Sequence, residues 1–170
     1  TNMMTAWTLK YAANLMDTLK SESPELLRRH DEKTRPAESE KRRWLEIAEK
    51  MYVPFDETLG IHPQDDTFVS LDELDLDTVP PEKFPLEGGL PWPTVLRYNV
   101  LKQPDVVLAN FLLSDEFSLA EKRANYEFYE PKTTHDSSLS PSIHTIMAAE
   151  LGKGPQAYNY FMHSVRLDLD

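Results

Sequence analysis

The segment SPSIHTIMAAELGKGPQAYNYFMHSVRL, residues 140–167, leaves little choice of architecture. Ser140 ahead of Pro141 predicts a helix start, with the serine as N-cap and the proline at the first helical position, where its missing N–H costs nothing. Gly152 supplies the stop. Pro155 opens a second helix whose expected buried face is Ala157, Tyr158, Phe161, Met162 and Val165. Two helices joined by GKGP must fold back on one another, so the basic unit is an antiparallel helix pair.

The same punctuation recurs along the chain. Ser23 precedes Pro24, and Pro36 opens PAESEKRRWLEIAEKMY, whose Trp44, Ile47, Ala48 and Met51 fall at i, i+3, i+4 and i+7. Pro54 ends that helix. Pro104 opens PDVVLANFLL, and Ser118 with Glu121 makes a capping box at the head of SLAEKRANYEFYE. The first twenty residues read as a helix with Thr1 as candidate cap. Its predicted core stripe is Trp7, Tyr11, Leu15 and Leu19, widened by Met3, Met4 and Leu9. No run of alternating β-branched residues competes, so the fold class is all-α. A helical repeat array would need self-similarity at a fixed period, and residues 1–100 show none.

Residues 53–95 break the pattern. Seven prolines (54, 63, 80, 81, 85, 91 and 93) and the pair Gly88-Gly89 exclude long regular elements, although SLDELDLD predicts one short helix. An irregular stretch of this length inside a compact domain is expected to line or cover a site.

Charge and composition narrow the partners. Eighteen Lys plus Arg against 29 Asp plus Glu leave a formal net charge of −11, which disfavours phosphate backbones and anionic membrane surfaces. No apolar run reaches the roughly 18 residues of a membrane span, and the start TNMMTAWTLK lacks a signal-peptide layout. With no cysteine there is neither a disulfide framework nor a thiolate metal site, which suits a reducing, cytoplasmic setting. The chain reads as one segment, 1–170, whose two ends both look cut from a larger domain.

Two loops concentrate chemistry. YNVLKQPDVV puts Lys102 beside Gln103 just before a helix. Read plainly this is a solvated loop; read chemically it offers three ammonium donors and an amide that both donates and accepts, a mixture suited to a sugar's hydroxyls. KTTHDSSLSPSIH gathers Thr133, Thr134, His135, Asp136, Ser137 and Ser138 ahead of a helix N-terminus. A Ser–His–Asp relay among consecutive residues lacks the geometry that defines a triad. His135, Asp136 and His144 lack the spacing of a metal-binding helix pair, so no metal site is assigned. Helix capping explains one serine only. The remaining reading is an anion site, in which hydroxyls and successive backbone N–H groups converge beside a helix start. Asp65 and Asp66 of HPQDDTF are either solvated or line a sugar pocket. Glu130, at a helix end, reads as an exposed glutamate mildly disfavoured by the helix dipole.

Taken together, YEPKTTHDSSLSPSIH, YNVLKQPDVV, HPQDDTF and AYNYFMHSVRLDLD resemble the inverting α-glucoside phosphorylases of glycoside hydrolase family 65, over essentially the whole chain and in order. The resemblance implies the C-terminal part of an (α/α)₆-barrel catalytic domain. It implies that Lys102 and Gln103 bind the glucosyl unit and that Ser137 and Ser138 bind inorganic phosphate. His135 joins that phosphate set by shaping the loop with Asp136. The implied substrates are an α-linked glucose disaccharide and phosphate, with no cofactor, and the implied product of inversion is β-glucose 1-phosphate. The chain's partner would be the rest of its own catalytic domain, in an intact homodimer. In the family the acid glutamate lies in a motif ahead of the helix that begins here, and a phosphate-holding histidine follows the final RLDLD. No catalytic residue is therefore assigned within the chain, and the general acid is expected upstream of Thr1. Two alternatives stay open: an α-glucoside hydrolase of the same family using Glu130 as base, and a non-catalytic helical interaction module that exposes apolar surface.

Overall fold

The structure is a computed structural model and describes residues 1–34, 38–167 and 169, the side chains of Glu38 and Glu87 excepted. Among these residues no strand forms; apart from three isolated bridges, the regular structure is helical, and the chain is all-α. It divides into two compact units, Thr1–Val53 and Pro54–Asp170.

The first unit holds α1 (Asn2–Glu22), α2 (Pro24–Thr34) and α3 (Glu38–Lys50). The expected start of α3 at Pro36 lies outside the described residues. Helices α1 and α3 pack together through small side chains: Ala13 is fully buried and Ala48 nearly so. Lys41 on α3 pairs with Asp17 on α1, and the Asn2 side chain donates to the Tyr52 carbonyl at 2.9 Å.

The expected α1 stripe holds in part: Met3, Met4, Trp7, Leu9 and Leu19 are half-buried. Tyr11 and Leu15 are exposed, and Trp7 stacks on Tyr11 with ring centroids 4.9 Å apart. The reason is helical geometry. Each four-residue step overshoots a turn by about 40°, so a row from Trp7 to Leu19 swings by roughly 120° and cannot keep one face. Ala6, Leu9, Ala13 and Met16 alternate steps of three and four and stay on one stripe, with Ala13 buried and the other three half-buried.

The second unit is built on α6 (Asp105–Leu112), α7 (Leu119–Tyr129), α8 (Ser140–Glu150) and α9 (Gly154–Arg166), with the short helices α4 (Leu86–Gly89) and α5 (Trp92–Val95) before them. Phe68, Val107, Tyr126, Tyr129, Met147, Ala148, Leu151 and Ala157 form its core. The α7 capping box forms as expected, the Glu121 N–H donating to the Ser118 hydroxyl and the Ser118 N–H to the Glu121 carboxylate. That leaves the Glu121 carboxyl below its usual range, because the Ser118 side chain and N–H both favour its charged form. Helix α8 ends in a Schellman turn. Gly152 adopts φ 76°, its N–H bonds the Ala149 carbonyl, and the Lys153 N–H bonds that of Ala148. From there α9 folds back along α8.

Two expectations about this pair need correction. Ser140 is not the α8 cap: Leu139 holds that position, and Ser140 is the first helical residue, with its side chain buried. On α9 only Ala157 of the expected face is buried, whereas Tyr158, Phe161 and Val165 are exposed. Within this unit, α9 turns Gln156 and Tyr160 toward polar partners instead (below), which rotates the apolar row outward.

The irregular segment is tied down by single hydrogen bonds. The His62 N–H donates to Asn125 and the buried Tyr129 hydroxyl to the His62 carbonyl, at 2.9 and 2.7 Å. SLDELDLD is not a helix; Ser70 ends the 3₁₀ turn Phe68–Ser70, and Leu76–Thr78 forms another, capped by the Asp75 side chain. Asp72 cannot join a helix because its N–H and carbonyl are engaged by Arg97 and Asn99.

Candidate functional site

Residues 101–104 and the loop 130–140 lie side by side. The Leu101 N–H bonds the Lys132 carbonyl at 2.9 Å and the Thr134 N–H bonds the Leu101 carbonyl at 2.8 Å, a parallel bridge between Leu101 and Thr133. Thr133 is buried, its hydroxyl given to the Tyr129 carbonyl, so it anchors the loop and is withdrawn from any ligand. Beyond the bridge the two chains open onto one cavity of about 190 Å³ lined by Gln103, Leu108, Leu139, Ser140, Ile143 and His144. Asp105, in the first turn of α6, and Ser142, in that of α8, also reach it. Both helices therefore start at this cavity, and their N-terminal dipole ends favour negative charge there.

The structure thus brings Gln103 into one cavity with Ser140 and His144. Lys102 is exposed and not part of that lining. Ser137 is half-buried, its hydroxyl accepting weakly from the Leu139 N–H at 3.4 Å, and Ser138 is exposed; neither is turned into the interior. Asp136 ties the loop to α4 by accepting the Leu86 N–H at 3.1 Å. The loop's own cation, Lys132, is directed onto the Phe128 ring and toward Glu73. Asp65 is committed locally, accepting from the Thr67 hydroxyl and N–H and the Phe68 N–H. Burial works against its ionisation, but those donors outweigh it and hold the carboxyl below its usual range.

Behind the loop lies a polar network. His135 has φ 57°, in the left-handed region that a non-glycine residue enters only when its surroundings hold it there. Its Nδ1 is 2.9 Å from the Ser140 hydroxyl and its Nε2 is 2.9 Å from the Tyr160 hydroxyl. Tyr160 donates to the Glu130 carboxylate at 2.7 Å, and Gln156 donates to the same oxygen at 2.7 Å. Glu130 is therefore half-buried and doubly bonded, not the exposed helix end its position suggests. His144 packs edge-on against His135 with centroids 4.5 Å apart, and its Nδ1–H reaches the Ser140 carbonyl at 3.0 Å.

This environment keeps both imidazoles neutral. Burial, then the neighbouring His144 and His163, push His135 down to about 3. Burial also lowers His144, against the Ser140 carbonyl and the Glu130 charge, which favour its protonated form. Burial first, then Glu130, raises both Tyr160 and Tyr126. The cavity wall is mostly apolar, with neutral imidazole and hydroxyl groups from His144, Ser140 and Ser142 and the Asp105 carboxylate at its α6 end. Among the described residues no three His, Asp or Glu side chains converge to hold a metal ion.

Sequence reading missed Tyr160, Gln156 and the buried role of Ser140. The available signal was the polar pair Gln156 and Tyr160, spaced i, i+4 on a helix assigned wholly to the core.

The all-α scaffold, with its hydroxyl-rich loop beside the Lys-Gln turn, is part of a carbohydrate-active catalytic domain by its family match. Residues 1–170 match the glycosyl hydrolase family 65 central catalytic domain, and the chain belongs to that family. It is 44% identical over its full length to an alpha,alpha-trehalose phosphorylase of Geobacillus stearothermophilus and 42% identical to a maltose phosphorylase of Bacillus subtilis. In each case it spans 22% of the relative's length. A solved putative kojibiose phosphorylase from the human microbiome superposes with a TM-score of 0.80 at 31% identity, covering 98% of this chain and 24% of that one. The fold agrees with a section of an (α/α)₆ barrel.

Proposed function

We propose that the chain contributes the phosphate-gripping loop and part of the glucosyl subsite to an inverting α-glucoside phosphorylase. In this reading Ser137, Ser138 and the loop's backbone N–H groups hold inorganic phosphate, with His135 shaping the loop. Lys102 and Gln103 bind the glucosyl hydroxyls. A phosphate oxygen attacks the anomeric carbon as the glycosidic C–O bond breaks on the opposite face. The departing sugar oxygen takes a proton from a carboxylic acid, which we assign to sequence preceding Thr1, and β-glucose 1-phosphate results.

The observation that carries the reading is the Leu101–Thr133 bridge, which lays the residue before the Lys-Gln turn against the hydroxyl-rich loop, with Gln103 and Ser140 lining one cavity beside it. Membership of a family whose matched relatives are disaccharide phosphorylases supports it. The hydrolase alternative asks Glu130 to activate water, yet its Oε1 already accepts from both Gln156 and Tyr160. The hydroxyl-rich loop, with more donors than capping needs, favours phosphate over water as the nucleophile.

The test uses the full-length protein carrying this segment, with α-linked glucose disaccharides and phosphate. Glucose 1-phosphate should appear only with phosphate present. Ser137→Ala with Ser138→Ala should lower kcat/KM for phosphate by about 10- to 100-fold, the effect of losing hydrogen bonds to a charged group. Gln103→Ala should instead raise KM for the disaccharide. Turnover indifferent to phosphate would overturn the assignment. The 170-residue chain alone should release no glucose 1-phosphate.

A further inference from the structure

We propose that Tyr160 is a positioning residue for the loop 133–140, acting through a one-way hydrogen-bond relay from Ser140 through His135 and Tyr160 to Glu130. The direction follows from donor inventory. A carboxylate can only accept, so the Tyr160 hydroxyl hydrogen goes to Glu130 Oε1 at 2.7 Å. The Tyr160 oxygen is then left as acceptor for the His135 Nε2–H at 2.9 Å. With its proton on Nε2, a neutral imidazole has a bare Nδ1, and the Ser140 hydroxyl fills it at 2.9 Å. His144 cannot compete for that lone pair, because its own Nδ1–H is directed to the Ser140 carbonyl at 3.0 Å. Every proton in the chain has one place to go.

The relay reaches the cavity because of where its ends lie. Ser140 lines the cavity at the first turn of α8, and Glu130 closes α7 where the loop begins. The relay therefore clamps both ends of residues 130–140 to α9 through one tyrosine. His135, the residue with φ 57°, is held from both ring nitrogens. Ser137 and Ser138 lie between His135 and Ser140, so the clamp sets the direction in which their hydroxyls and N–H groups point. Gln156, one helical turn before Tyr160, shares the same carboxylate oxygen and fixes Glu130 in turn.

The role given to the loop rests on the phosphorolysis reading, but the relay itself does not, and the experiment separates them. In the full-length protein, long-range ¹H–¹⁵N NMR of the histidine rings should show His135 as the pure Nε2–H tautomer. Tyr160→Phe removes its acceptor and should shift the ring toward the Nδ1–H form. The same variant should raise KM for phosphate by about 10-fold, the order expected for one hydrogen bond, and leave KM for the disaccharide within about 2-fold. Glu130→Gln keeps an acceptor oxygen for Tyr160, so its KM for phosphate should stay within about 3-fold of the parent. Should Tyr160→Phe fold poorly, Ser140→Ala breaks the relay at its other end and should likewise raise KM for phosphate. An Nδ1–H tautomer in the parent protein, or equal losses in Tyr160→Phe and Glu130→Gln, would overturn the relay. A parent enzyme that turns over without phosphate would overturn the phosphorolysis reading while the tautomer measurement still judged the relay.

Discussion

Acid should loosen the second unit well before Asp65 and Glu121 are protonated. His135 is held at about 3 against an ordinary value of 6.5. The unfolded imidazole takes up a proton below about 6.5 while the folded one refuses it until about 3. Stability is then fully present above the unfolded value and is lost as pH falls below it, with a slope of about 1.4 kcal/mol per pH unit. Between pH 7 and pH 5 this amounts to about 2 kcal/mol from His135, and His144, displaced in the same direction, adds to it. The groups facing His135 are Ser140, His144, Tyr160 and, electrostatically, His163. The shifted carboxylates Asp65 and Glu121 are lowered from 3.8 and 4.5, so what they contribute is lost only at lower pH. Amide hydrogen exchange of α7 and α8, converted to opening free energies at pH 7 and pH 5, reads the difference locally. His135→Asn is the control, since asparagine tolerates φ 57° and cannot take up a proton. It should lose the His135 share of the slope, about 2 kcal/mol between pH 7 and pH 5, whatever its absolute stability. Equal opening free energies at the two pH values in the parent, or an undiminished slope in His135→Asn, would refute the buried-neutral account.

Two further substitutions probe the scaffold. Met147→Ala empties a fully buried position in the core of the second unit and should cost about 2–5 kcal/mol in denaturant midpoints. Gly89→Ala would set its Cβ 1.8 Å from the Lys83 carbonyl oxygen, a backbone atom, whereas Gly88→Ala meets nothing within 4 Å. The first should therefore cost about 1–3 kcal/mol and raise exchange of the Leu86 amide that holds Asp136, and the second should stay within about 0.5 kcal/mol of the parent.

What the sequence disclosed and what it hid divide along a physical line. Local rules carry over: the Ser118 capping box, the Gly152 stop and the Pro104 start are each decided by a few adjacent residues, and each forms. The burial of whole faces does not, because a helix's neighbours decide it. The four-residue row on α1 looks continuous in text yet winds around the cylinder, and the apolar row on α9 yields to Tyr160 and Gln156, whose partner Glu130 is 26 to 30 positions away. Ser140 shows the same tension within one residue. A serine before a proline is a sound cap signal, but here its hydroxyl completes the His135 imidazole, and burial of that hydroxyl requires a partner more stringently than an exposed helix end requires a cap. The hydroxyl-rich loop was legible as chemistry because six polar side chains in a row exceed what capping needs. Its support was not, since three of the four members of the relay lie on different elements and only the fold brings their atoms within 3 Å. A carboxylate, a phenol, an imidazole and a serine hydroxyl, each unremarkable in the text, become a single directional chain once α7, α8 and α9 are packed, and that chain fixes how the loop presents its donors.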